Sequence, residues 1–150
     1  MKPKPYQRAG WMIVFVLASL MVLNSLFFGL VGVTPEIFEV DTGVAWSEFS
    51  ADYPSVATHL DLAERLNGSG YAGTALFAAV LAWFGLRAGS RWAWYALWIF
   101  PGVLSLGAVW FFTHDQAGIG YFYSGAAAVA LLGLLLSSRL PSSINNKAGV

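Results

Sequence analysis

Charge is sorted along this chain, and long uncharged apolar runs separate the sorted segments. The acids are Glu36, Glu39, Asp41, Glu48, Asp52, Asp61, Glu64 and Asp115, so all but one fall between positions 36 and 64. Lys2, Lys4, Arg8, Arg87, Arg91, Arg139 and Lys147 lie in other segments, and only Arg65 stands among the acids. Cytoplasmic loops of membrane proteins retain Lys and Arg because positive flanks resist translocation. The basic segments are therefore read as inside and the acidic ones as outside. A chain 57% hydrophobic and 11% charged, with a mean hydropathy of +0.63, has too little polar surface to sheathe a soluble core.

Four runs are long enough to span. A helix rising 1.5 Å per residue needs roughly 20 apolar residues to cross a ~30 Å hydrocarbon core. Residues 11–33, 92–113 and 117–138 satisfy this, and the shorter run 71–87 is completed by Arg87, whose stem can reach the headgroups. The fold class expected is all-α: a polytopic membrane protein with a four-transmembrane-helix bundle. A structured extracytoplasmic loop, the outer cap 34–70, joins the first two helices, and cytoplasmic tails occupy 1–10 and 139–150. The first run reads as an uncleaved helix, because it exceeds a signal core of about 7–15 residues and no Ala-x-Ala site follows it.

Helices in lipid associate through close backbone approach at small side chains. In the second run Ala75, Ala78, Ala82, Gly85 and Gly89 recur at steps of three and four, with Phe77, Leu81 and Phe84 roughly opposite. Ala126, Ala130, Gly133 and Ser137 repeat the device in the fourth run, so these two helices are the expected packing centre. Pro101 removes a backbone donor and predicts a kink near Phe100 in the third run. Trp11, Trp83, Trp92 and Trp94 gather at the expected inner surface, where Arg87, Arg91, Trp92 and Trp94 are interface anchors.

The 34–70 segment is longer than an ordinary interhelical loop and carries buryable side chains such as Phe38, Trp46 and Phe49, so it is expected to fold. Pro54 at the start and Asn67-Gly68 at the end bracket a short helix over 54–66.

The chemistry available is sparse. No ionisable residue falls well inside a span, which disfavours proton relays and ion-coupled carriers. Asn24, in mid-helix, is expected to make an interhelical hydrogen bond and is the one ligand-binding candidate within a span. Outside, His59, Asp61 and Glu64 share the short helix, and His114 with Asp115 cap the third span; these five are the catalytic candidates. They lack metal-ligand spacing, since the residue four after His59 is Ala63. The absence of cysteine removes disulfides and thiolate chemistry. Neither a metal nor a cofactor is expected, and no basic stripe suits nucleic acid.

Arg87-Ala88-Gly89-Ser90-Arg91-Trp92-Ala93-Trp94 resembles the Arg-x-Gly-x-x-Trp-Ala-Trp inner turn of small prokaryotic four-helix integral membrane proteins. The resemblance implies a layout, in which the long first outer loop and tight inner turn are similar too, and it implies no activity. The leading expectation is a non-enzymatic protein of the cell membrane that binds a lipid or apolar ligand, or serves as an accessory membrane subunit. Its expected partners are membrane lipids, a further copy of itself or another membrane protein. The alternatives are a membrane enzyme acting on a lipid-like substrate at the outer face, and an oligomeric carrier or channel.

Overall fold

The computed structural model describes residues 5–113 and 116–137, with side chains from residue 9 onward. Every element among the described residues is helical: α1 (Pro5–Val31), α2 (Pro35–Thr42), α3 (Trp46–Asp52), α4 (Pro54–Val80), a π-helical segment (Leu81–Leu86), α5 (Arg91–Ala96), α6 (Ile99–Thr113) and α7 (Ala117–Ser137). Among the described residues, four stretches are long and apolar enough to cross a membrane, namely Ala9–Val31, Pro54–Leu86, Arg91–Thr113 and Ala117–Ser137. The chain divides into two compact units, Met1–Ser19 with Ala75–Val150, and Leu20–Thr74.

In the first unit, small residues bring helices together. Ala75, Ala78 and Ala82 are buried, as are Ala126, Ala130, Gly133 and Ser137. Gly133 faces Gly10 and Val14 of α1, so the α7 seam packs on a glycine of the first helix that the residue pattern did not single out. A methyl group on Gly10 would lie 2.7 Å from the Gly133 carbonyl oxygen and 2.5 Å from Ser137 Oγ. Such contact of backbone with backbone is how helices gain dispersion energy where lipid supplies no hydrophobic drive.

The second seam departs from its predicted course at the π-helical segment. Arg87 N–H donates to the Ala82 carbonyl five residues back (3.1 Å), and this wider turn shifts the faces that follow. Leu81, expected opposite the seam, is 9% exposed, whereas Phe77 and Phe84 face outward. Gly85 abuts Ala93 of α5. Gly89, expected to extend the seam, lies beyond the helix in the turn to α5 with φ +74°. That left-handed conformation favours glycine and reverses the chain there.

The third run breaks where Pro101 dictates. Its ring cannot coexist with a straight helix passing the carbonyl four residues earlier, that of Leu97. The α-helical pattern lapses at Leu97 and Trp98, between α5 and α6. There Trp98 N–H donates to Tyr95 O (3.2 Å) and Phe100 N–H to Leu97 O (3.1 Å), both over three residues.

In the second unit, α2 and α3 carry an aromatic cluster. Phe38 lies 4.9 Å from Trp46 and 5.0 Å from Phe49, ring centre to ring centre, and Phe49 lies 5.5 Å from Tyr53. The helix beginning at Pro54 does not stop at Asn67-Gly68. It continues unbroken to Val80, and positive φ among the described glycines is confined to Gly32, Gly43 and Gly89. Gly68 is buried against the backbone of Gly29 in α1. That packing outweighs the about 1 kcal/mol that a helical glycine costs relative to alanine.

Candidate functional site

The most connected polar group lies at the end of α1. A helix leaves its last carbonyls without backbone partners. Gly32, at φ +76°, closes part of the end by donating its N–H to the Phe28 carbonyl (2.8 Å). Val33 N–H would ordinarily turn back to the helix as well, but here it donates to Asp61 Oδ1 of α4 (3.1 Å). One turn further along α4, Arg65 donates Nε to Asp61 Oδ2 (2.7 Å). Its Nη1 donates to the Leu30 carbonyl and its Nη2 to the Val31 carbonyl (3.1 Å). A guanidinium fork thus satisfies the negative end of the α1 dipole, and a carboxylate holds the fork in place.

Asp61 lies in the charged part of α4, outside the apolar stretch 71–86. Its carboxyl is held below the ordinary aspartate range, chiefly by the Arg65 hydrogen bond and then by the Val33 N–H, with desolvation opposing them. Both carboxylate oxygens therefore accept from the cap, and the geometry gives Asp61 a structural task. Arg65 is the residue that sequence reasoning passed over. The signal was present: it is the one base among the acids and follows Asp61 at helical i+4 spacing.

Of the other catalytic candidates, His59 and Glu64 do not join this group. Both are exposed on α4, and His114 and Asp115 lie outside the described residues. Among the described residues no three His, Asp or Glu side chains are placed to hold a metal ion. Asn24 is exposed, and no interhelical hydrogen bond of its side chain is found among the described residues. Its neighbour Ser25 is the residue turned inward, at 5% exposure.

A second group of interest sits in the other unit. Trp11 and Trp83 have ring centres 5.6 Å apart and planes at 81°, so they form two walls of a corner. The Arg87 guanidinium carbon lies in it, 4.7 Å from the Trp83 ring centre and 5.7 Å from that of Trp11. Phe15 backs Trp83 at 5.0 Å. Of the other expected anchors, Arg91 and Trp92 are exposed. Trp94 is engaged internally, its indole N–H donating to the Leu134 carbonyl near the end of α7 (2.9 Å). No family model, curated protein or solved structure matches the chain.

Proposed function

We propose that this chain is a non-enzymatic multi-pass protein of a prokaryotic cytoplasmic membrane, of the small four-helix type that its Arg87–Trp94 turn resembles. Residues 34–70 form an ordered cap outside, both termini lie in the cytoplasm, and the protein works by holding a lipid or apolar ligand, or as an accessory subunit beside another membrane protein. The observation that carries this reading is that the partly buried Asp61 and Arg65, and the exposed Arg87, are each engaged by groups of the protein itself. Asp61 and Arg65 cap a helix, and Arg87 is clamped by tryptophans. Such groups hold the architecture, whereas a catalytic acid or base needs an open coordination to substrate. Large outward side chains such as Leu23, Leu30, Phe84 and Leu106, 66–75% exposed, suit contact with acyl chains or with a neighbouring transmembrane helix.

Native mass spectrometry of the full chain, extracted with its membrane lipids, tests this function. A retained lipid, apolar molecule or membrane protein is expected, and His59→Ala should retain it equally. Turnover of a lipid substrate that His59→Ala abolishes would contradict the non-enzymatic reading.

A further inference from the structure

Two arginines in this protein are held in opposite ways. All three nitrogens of the Arg65 guanidinium donate to protein oxygens. Arg87 is held instead by aromatic rings, which attract a cation through their quadrupole but accept none of its N–H bonds in the manner of an oxygen. The Asp61–Arg65 ion pair does not involve Arg87. Every acid from Glu36 to Glu64 belongs to the other unit, and the last, Asp115, lies outside the described residues. Arg87 is exposed, and Arg91, one helical turn later in sequence, is exposed beside the outward-facing Trp92. Trp11 and Trp83 also keep indole N–H donors for which no hydrogen bond is found among the described residues.

We propose that the corner formed by Trp11, Trp83 and Arg87 binds the phosphate group of an anionic ligand, with Arg91 adding a second positive charge. A guanidinium fork matches the oxygens of phosphate, and side-chain freedom already restricted by two rings lowers the entropy lost on binding. This site rests on the reading of the Arg87–Arg91 turn as a membrane-surface turn. Phospholipid headgroups carry the required chemistry at that depth, and soluble phosphate is the other source.

The test uses the full chain in detergent, titrated in a native mass spectrometer with phosphatidylglycerol and with diacylglycerol, which lacks the phosphate. Phosphatidylglycerol should be retained in preference to diacylglycerol, and Arg87→Gln should weaken it about tenfold, as loss of a charge-assisted hydrogen bond does. Trp83→Leu, which keeps the charge and removes one wall, should weaken it about threefold. Inorganic phosphate in excess, set against chloride at the same ionic strength, distinguishes the sources: greater displacement of the lipid by phosphate than by chloride assigns the site to soluble phosphate, and equal loss in the two salts assigns it to a lipid headgroup. Should Arg87→Gln fail to fold, the wild type decides alone, because its preference for phosphatidylglycerol must fall as salt is raised. Equal retention of the two lipids, or retention indifferent to Arg87 and to salt, would overturn the site. A chain that does not fractionate with membranes would refute the membrane reading, whereas one that does and shows no phosphate preference refutes this site alone.

Discussion

Gly68→Leu is expected to destabilise the α1–α4 pair more than any other single substitution within Leu20–Thr74. A Cβ at Gly68 would lie 2.8 Å from Gly29 Cα and 2.9 Å from the Ser25 carbonyl oxygen. Both obstacles are backbone, so no rotamer change relieves them, and the helices must separate along the contact. Overpacking of a tight core costs about 1–3 kcal/mol, and an unyielding backbone neighbour places this substitution at or above about 3 kcal/mol. Two further glycines of α4 supply the control. Gly70 and Gly73 have open space where a Cβ would go, so Gly70→Ala and Gly73→Ala should be neutral or stabilise by up to about 1 kcal/mol through helix propensity. Denaturant unfolding in a fixed detergent, followed by circular dichroism, ranks the three. A Gly68→Leu protein as stable as the wild type would show that the crossing is not made through this glycine.

Gly32→Val should have the second largest effect, and for two reasons at once. Its φ of +76° lies in the left-handed region, where a β-branched residue is strained by about 1–3 kcal/mol. The added Cβ would also collide with the Asp61 carboxylate, which receives Val33 N–H and Arg65 Nε. The cap should therefore fail as a unit. Gly32→Val and Arg65→Met in one chain should destabilise by clearly less than the sum of the single changes, because each dismantles the same cap. Thermal unfolding of the two single variants and the double variant checks this, and strict additivity would mean that the turn and the ion pair act independently.

Much of the architecture was legible because it depends on extended composition. The apolar runs at 11–33, 92–113 and 117–138 correspond closely to Ala9–Val31, Arg91–Thr113 and Ala117–Ser137, since length and hydropathy are properties of the run itself. Pro101 announced a break through local sterics, and the break lies one turn upstream at Leu97 and Trp98, where the Leu97 carbonyl loses its α-helical donor and accepts from Phe100 N–H instead. Asn67-Gly68 misled for the complementary reason. Taken locally the pair ends a helix, but the outcome depended on Gly29, far off in sequence, whose backbone takes up the space that Gly68 leaves.

The polar sites were legible in part for the same reason. Asp61 and Glu64 stand in the same segment and were weighed alike, yet only Asp61 meets the end of α1, and no periodicity within α4 distinguishes them. The i+4 relations of Asp61 with Arg65 and of Trp83 with Arg87 were visible in the sequence. Their third members, the α1 carbonyls and Trp11, come from a distant helix. Asn24 shows the limit most plainly: a mid-helix amide predicts a partner, but whether it faces inward is set by the angular position of Ser25 and Met21, which are the buried residues there.

The proposed orientation, with the acidic segment outside and the Arg87–Arg91 turn inside, rests on charge sorting. The chain contains no cysteine, so a single introduced thiol reports its side of the membrane without background. Ser47→Cys in α3 and Ala88→Cys in the Arg87–Arg91 turn both occupy exposed positions. In cells with the outer barrier removed and the cytoplasmic membrane intact, a membrane-impermeant maleimide should label position 47 and spare position 88 until that membrane is opened. Labelling of position 88 from outside, or of both positions from one side, would contradict the account.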